Sequence, residues 1–204
     1  MTERIKFLLL LVSCCILLAC NSNTKNTYQP NSDYGIDTYI SKARINKNFS
    51  LDYKLNAFGA NSIDSISDIN RFLLKIRCSS IPANVNVDSA FIYLKIIEIK
   101  NPQKKASFHV ERIIEDWEVE CVNWFNQPKS DSKNAIEVEI ADDKLDYYKI
   151  DVTNYIRGFA SQKYINYGFL FKSGKESKPN GISFYSSNAM DLDNQPRLLV
   201  YYKH

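Results

Sequence analysis

The sequence has little of what hydrolases and nucleotide-dependent enzymes need for their chemistry. Only two histidines occur: His204 is the last residue, and His109 lies in a segment whose alternation is typical of a strand. The six glycines form neither a dinucleotide-binding nor a phosphate-binding motif, and no Gly-x-Ser-x-Gly elbow is present. The sequence therefore predicts no catalytic residue, no nucleotide cofactor and a protein that is not an enzyme.

A strong net charge and clustered metal ligands are also missing. The chain has 26 Lys and Arg against 23 Asp and Glu, a formal net charge of +3, and its basic residues form no tract. Because nucleic-acid binding relies on concentrated positive charge, we expect no nucleic-acid partner. Cysteine and histidine do not occur at zinc-ligand spacings, so no zinc site is predicted.

Uninterrupted apolar runs of helical length are absent except at the N-terminus. Arg4 and Lys6 precede an uncharged stretch over residues 7–19, which is too short to span a bilayer and is typical of a signal peptide. The stretch ends in Leu17-Leu18-Ala19-Cys20, which resembles a bacterial lipobox. We predict a lipoprotein signal peptide over residues 1–19 and lipid attachment at Cys20. An ordinary secretory peptide with a chance cysteine is the alternative.

The part of the chain after Cys20 divides into two regions. Residues 20–32 are rich in Asn, Ser and Thr with little to bury, which predicts a flexible tether. Residues 33–204 are long enough to bury a core and show no internal repeat, so a single domain is expected there. This domain keeps two cysteines, Cys78 and Cys121. They could form one disulfide in an oxidising compartment or stay separate as small buried side chains.

Most of the domain alternates apolar and polar residues with a period of two, which predicts an all-β fold. Ten strands are expected: Gly35–Ile40, Phe49–Leu55, Arg71–Cys78, Ala90–Ile99, Phe108–Ile114, Ile136–Ile140, Tyr147–Val152, Tyr167–Lys172, Gly181–Ser186 and Arg197–Tyr202. The apolar strand Ala90–Ile99 should lie in the centre of a sheet, with both sides largely covered. Residues 129–134 read as a polar loop. We predict an antiparallel β-sandwich that is jelly-roll-like.

One short helix is predicted near Thr153–Ser161, where Asp151 or Thr153 could cap the first turn. Apolar side chains recur on one side of it at helical spacing. A single amphipathic helix in a β protein most simply caps one open end of the sandwich.

Both tryptophans, Trp117 and Trp124, fall in one stretch that invites two interpretations. As exposed rings they would form a platform for a sugar; as buried rings they would belong to the core. We expect Trp117 on a strand, where Asp116, Glu118 and Glu120 would share one face as an acidic rim or a solvated face. Trp117 and Trp124 are the candidate ligand residues, and the sequence assigns no other binding residue.

Carboxylates suitable for a structural Ca²⁺ occur in two places. Asp33 and Asp37 lie near the first strand of the domain, and Asp142, Asp143 and Asp146 cluster in a turn. Neither group has the spacing of a known calcium loop. We therefore keep Ca²⁺ as the one cofactor that these side chains could hold.

Several short sequence motifs occur together in an order that resembles that of a known family. They are Asp37-Thr38-Tyr39-Ile40, Arg71–Ile76 with Ile81-Pro82-Ala83, Ser89–Leu94, Asp116-Trp117-Glu118, Val122–Pro128, Ile150–Thr153, Tyr167-Gly168-Phe169 and Pro196–Tyr201. The series resembles the DNRLRE domain, a bacterial extracellular module similar to carbohydrate-binding module family 96. It covers nearly all of the exported part.

The resemblance implies a β-sandwich that binds a polysaccharide or oligosaccharide without cleaving it, some members taking acidic polysaccharides such as alginate. With Cys20 it implies a lipoprotein held by its lipid to the bacterial outer membrane, similar to those of glycan-uptake systems. Both the periplasmic and the surface-exposed leaflet stay open. The alternative is a structural or adhesion module whose partner is an outer-membrane protein.

Overall fold

The computed structural model describes residues 23–30, 35–63, 66–100, 106–140 and 146–203. In these residues the chain forms eleven strands, one α-helix and a short 3-10 helix at Leu192–Asn194. The elements are β1 (Asn23–Tyr28), β2 (Gly35–Ser41), β3 (Lys54–Ile63), β4 (Ile66–Ile76), β5 (Asn86–Lys100), β6 (Ala106–Ile113), β7 (Ser130–Ile140), β8 (Tyr147–Asp151), α1 (Thr153–Ala160), β9 (Phe169–Ser173), β10 (Gly181–Tyr185) and β11 (Arg197–Lys203). Every strand pairing is antiparallel. The prediction of an all-β sandwich with one short helix is confirmed.

Strand β5 joins the two halves of the curled sheet. Its first part pairs with β11 on one side and β8 on the other, and its last residues pair with β10. Ile92 and Leu94 point into the core and are fully buried, whereas Phe91 and Tyr93 on the other face are half-buried. The expectation that both faces are covered is therefore wrong in part. Long side chains shield part of the outward face, as Lys149 does: its Nζ lies 3.7 Å from the centre of the Phe91 ring.

The other half of the sheet runs β10, β3, β4, β9, β6 and β7, with β2 paired to β4. Its inward face supplies four fully buried phenylalanines, Phe72, Phe108, Phe171 and Phe184. The Phe72 and Phe171 rings stack with centroids 4.1 Å apart. These rings and the inward face of β5 form the main hydrophobic core.

Helix α1 packs against β5 and covers the core as predicted. Tyr155, Ile156 and Ala160 are buried in the main cluster. Its N-cap residue, Val152, makes no side-chain hydrogen bond, and the Asp151 carboxylate instead accepts a bond of 2.9 Å from the Thr153 N–H. Of the two capping residues named from the sequence, Asp151 thus satisfies an amide of the first turn.

The prediction of a flexible tether over residues 20–32 is wrong in part, because residues 23–28 form strand β1. β1 pairs along its whole length with β11 at the edge of the sheet. Tyr28 is buried, and the Asn26 amide donates to the hydroxyls of Tyr28 and Tyr202. Backbone pairing holds this segment, so a polar sequence suffices. The signal peptide, Cys20 and the start of the tether lie outside the described residues.

Two other segments differ from the predicted strand pattern. Residues 49–53 do not continue a strand, and Leu51 is 89% exposed. Turn-forming bonds explain this, since Asn48 and Asp52 side chains accept from the N–H groups of Ser50 and Lys54. Conversely, the expected loop at 129–134 is largely strand, because β7 begins at Ser130 opposite the end of β6.

Candidate functional site

A groove of about 700 Å³ lies where the start of α1 meets β5, β6 and β7. We call it the helix groove. It is lined by Asp88, Ser89, Arg112, Asp131, Asn134, Ala135, Ile136, Asp151, Thr153, Asn154, Tyr155, Arg157 and Tyr164. Two arginines, two tyrosines and several short polar side chains thus surround one opening.

Arg112 is the central cation of the helix groove. A β-bulge in the pairing of β6 with β7 lies next to it. The guanidinium lies 4.0 Å from the centre of the Tyr164 ring, and its Nη2 is 3.3 Å from Asp131 Oδ2. Its Nε is buried without a hydrogen-bond partner among the described residues. Arg112 is therefore held in place by stacking and one ion pair, with bonding capacity left unused.

Asp131 is kept ionised by its neighbours. The Asn134 amide donates to its carboxylate at 2.9 Å, and this bond, followed by the Arg112 guanidinium, holds the Asp131 pKa below its usual value. Burial, with a smaller effect of the Asp131 charge, raises the pKa of Tyr155, whose hydroxyl donates to the Asn134 carbonyl. At neutral pH the groove therefore presents a carboxylate acceptor and a protonated phenol.

The helix side of the groove is equally ordered. Arg157 donates to the Val87 carbonyl at 2.8 Å and to the Asp88 carbonyl at 2.9 Å. Asp151 accepts from both the N–H and the hydroxyl of Thr153. The lining charges, two arginines against three aspartates, are nearly balanced. Such a surface suits a neutral ligand rich in hydroxyl groups better than an anion.

A smaller cavity of about 310 Å³ shares Tyr164 with the helix groove. It has a more apolar lining that includes Ile81, Phe159 and Cys78. Burial raises the pKa of the Cys78 thiol to about 12, so this thiol is an inert packing group. Cys78 and Cys121 are both free and form no disulfide; Cys78 is partly buried, whereas Cys121 is exposed, so the alternative of two buried side chains is wrong for Cys121.

The two tryptophans do not line the helix groove. Trp117 is 8% exposed in a second hydrophobic cluster with Leu73 and Leu170, on the outer face of the sheet. Its Nε1–H donates to the Tyr167 carbonyl at 2.8 Å. It lies in a loop, so its predicted place on a strand is wrong, and with it the alternation that would align Asp116, Glu118 and Glu120.

Trp124 packs partly buried against the same cluster. The guanidinium of Arg71 lies 4.7 Å from the centre of its ring. Arg71 is fixed in turn by two bonds to the Glu176 carboxylate, of 2.7 and 2.9 Å, and by one to Gln127. These contacts make Trp124 part of the outer cover of the sheet.

The two calcium candidates that the structure describes, Asp37 and Asp146, are both bound by other groups of the chain. Asp37 is buried and its carboxylate accepts from the N–H and hydroxyl of Ser187, at 2.8 and 2.9 Å. Asp146 is exposed and pairs with Lys95 at 3.1 Å. Asp33, Asp142 and Asp143 lie outside the described residues. Within those residues, no three His, Cys, Asp or Glu side chains converge in a way that could hold a metal.

Sequence reasoning missed the residues that build the helix groove. Tyr155 has the spacing of the helix's apolar face, and Arg112 lies inside a predicted strand. The available signal was an arginine in the middle of a largely apolar strand, since a cation there must find a partner. That partner, Asp131, lies on the next strand and inside the segment read as a polar loop.

The groove can offer charged hydrogen-bond acceptors and donors beside tyrosine rings, which is the chemistry of sugar-binding sites. The antiparallel sandwich and this groove together suit a module that binds carbohydrate. The model of carbohydrate-binding module family 96 matches residues 28–202, and the chain belongs to this family. A search of curated proteins found no match. Within the described residues, no helix has the length and apolar character needed to cross a membrane.

Proposed function

We propose that this module binds a glycan in the helix groove without cleaving it. The supporting observation is Arg112, which lines the groove and is fixed there by stacking on Tyr164 and by its ion pair with Asp131. Sugar hydroxyls can bond to Arg112 and Asp131 while a sugar face lies against a tyrosine. Because these groups are ordered before binding, little entropy is lost when the ligand enters.

The ligand class follows from the balanced charge of the groove. The resemblance to the DNRLRE domain implies an acidic polysaccharide as the ligand. The nearly balanced charge of the helix groove favours a neutral polysaccharide over an acidic one. A glycan array that includes alginate, polygalacturonate and neutral polysaccharides separates the two. Release of reducing ends or unsaturated products from any of them would contradict a purely binding function.

Replacing Tyr164 by alanine tests the location of the site. We expect this variant to lose about tenfold or more in affinity for the retained glycan, because it removes both the ring and the support of Arg112. Affinity electrophoresis in gels containing that glycan measures the change. Tyr201→Ala on β11 is the control, since Tyr201 lines none of the cavities described above, and it should bind as the unmodified protein does.

Two results would contradict the helix groove as the site. One is equal retention of Tyr164→Ala and the unmodified protein, provided that circular dichroism shows Tyr164→Ala and Tyr201→Ala to be folded. The other is absence of retention on every glycan together with co-purification of an outer-membrane protein, which would support the structural or adhesion alternative.

We also propose that the module is a lipoprotein anchored through Cys20 to the outer membrane, where it captures glycan for uptake. The lipobox-like Leu17-Leu18-Ala19-Cys20 supports this proposal. Cys20→Ala should abolish incorporation of a labelled fatty acid and move the protein from the membrane to the soluble fraction. Unchanged membrane association of this variant would contradict the anchor. Protease treatment of intact cells would distinguish the surface from the periplasm.

A further inference from the structure

A separate cavity of about 180 Å³ is lined by three cations and two carboxylates, and in the part of the chain that the structure describes neither carboxylate pairs with a cation. None of its residues lines the helix groove. It is lined by Tyr39, Arg44, Lys54, Asn56, Phe58, Asp68, Asn70, Glu98, Lys100 and Ser183, and we call it the lysine pocket. Its floor is the outward face of three adjacent strands, β3, β10 and β5.

The strand register fixes the position of Lys100. Gly181 on β10 lies opposite Phe58 on β3 and opposite Lys100 on β5. A Cβ at Gly181, whose φ is 155°, would come within 2.4 Å of the Phe58 ring. The missing side chain therefore leaves room for that ring, and Lys100 Nζ lies 4.1 Å from the ring centre. The ammonium group is held over a fixed aromatic surface.

The three cations of the pocket lack acidic partners. Among the described residues, no ion pair includes Arg44, Lys54 or Lys100, although eight pairs occur elsewhere. Each instead lies over an aromatic ring. Of the two lining acids, Asp68 is occupied by the Ser41 hydroxyl at 2.9 Å and the Ala43 N–H at 3.0 Å. Glu98 is the remaining acid, and it is exposed.

Two amides add donors to this positive charge. The Asn56 Oδ1 accepts from the Ser183 hydroxyl, which leaves the Nδ2 group of Asn56 as a donor. Asn70 is 6% exposed, and its amide has no side-chain hydrogen bond within the described part of the chain. Unused donors beside unpaired cations are the arrangement that recognises an oxyanion.

We propose that the lysine pocket binds a carboxylate or sulfate ester carried by a glycan. The proposal rests on the carbohydrate-binding function above and adds a second contact, distinct from the helix groove. The pocket is too small for a sugar chain and fits a single anionic substituent. Lys100 over Phe58 and the donors of Asn56 and Asn70 supply charge-assisted bonds to its oxygens, while the ring excludes water.

The double variant Lys54→Gln with Lys100→Gln tests the pocket. Affinity electrophoresis compares gels that contain dextran sulfate, polygalacturonate or unmodified dextran. We expect retention by at least one of the two acidic polymers to fall about tenfold in this variant, and mobility in dextran to stay unchanged. Lys149→Gln is the matched control, because it removes a lysine stacked on Phe91 in the other half of the sheet.

Equal retention of the double variant and the unmodified protein in both acidic polymers would overturn the proposal, as would an equal loss in Lys149→Gln. Asn70→Asp supplies a second variant, since it places a carboxylate in the pocket without removing a lysine and should also lower retention. Vesicles containing phosphatidylglycerol distinguish a lipid headgroup as the source of the anion. Loss of vesicle binding with unchanged polymer retention would overturn the glycan assignment.

Failure of the helix groove is distinguishable from failure of the lysine pocket. Tyr164→Ala should lower retention by the glycan found on the array. The protein should still be retained more strongly in gels with dextran sulfate than in gels with dextran. The double lysine variant should abolish that difference and leave a neutral array ligand bound.

Discussion

Replacing Trp117 by alanine is expected to lower the free energy of unfolding by about 3–5 kcal/mol, the usual loss for a large buried aromatic ring. The ring fills the second hydrophobic cluster, between Leu73, Leu170 and Val122, and holds the loop after β6 against the outer face of the sheet. The change also leaves the Tyr167 carbonyl without its indole donor. Urea unfolding followed by circular dichroism measures the loss.

Two further variants separate the parts of this effect. Trp117→Phe keeps an aromatic ring and removes the indole N–H, so it should lose less than alanine. Trp124→Ala should cost about 1–2 kcal/mol, because that ring is only partly buried and its main partner is the Arg71 guanidinium. A stable Trp117→Ala that had lost glycan retention would show that this ring is a ligand platform after all.

Much of the strand pattern could be predicted because side-chain alternation reports burial directly. β11 alternates buried and less buried residues along its length and was predicted to within one residue of its observed bounds, whereas β5 begins at Asn86, four residues before its predicted start. β1 was missed because its backbone pairs at a sheet edge and, apart from Tyr28, its side chains need no apolar pattern. Phe49 has the spacing of a strand residue, yet it reaches the core from a turn and stacks on Tyr39.

The helix groove could not be predicted because its residues are ordinary in their own segments. Arg112 belongs to a strand, Arg157 to the helix, and Tyr164 to the connector after it. Only the antiparallel pairing of β6 with β7 brings Asp131 beside Arg112. The lysine pocket depends in the same way on Gly181 lying between Phe58 and Lys100. Tertiary register, which single-sequence patterns do not contain, creates both cavities.

The titration of Asp37 should lower the free energy of unfolding of the domain as the pH rises from about 4 to 7. This carboxyl is buried in β2, and desolvation raises its pKa from 3.8 to about 6 despite the two hydrogen bonds from Ser187. Between those values the folded state binds more protons than the unfolded state, so the free energy of unfolding decreases with rising pH. At 1.36 kcal/mol per pKa unit, the loss amounts to about 3 kcal/mol.

The variant Asp37→Asn should remove this dependence. An amide is neutral at every pH and can still accept from the Ser187 N–H, so the free energy of unfolding of Asp37→Asn minus that of the unmodified protein should grow by about 3 kcal/mol between pH 4 and pH 7. Urea titrations at several pH values measure the difference.

Asp146→Asn is the control: its exposed carboxyl pairs with Lys95, and its pKa is lowered by the bond from the Tyr147 N–H, then by Lys95. A lowered pKa gives stability that is lost only as the pH falls below the ordinary value of 3.8, so the difference for this control should stay nearly constant between pH 4 and pH 7. A difference between Asp37→Asn and the unmodified protein that stayed constant over this range would show that Asp37 is ionised in the folded state without cost. The Ser187 bonds would then fully offset the burial of its charge.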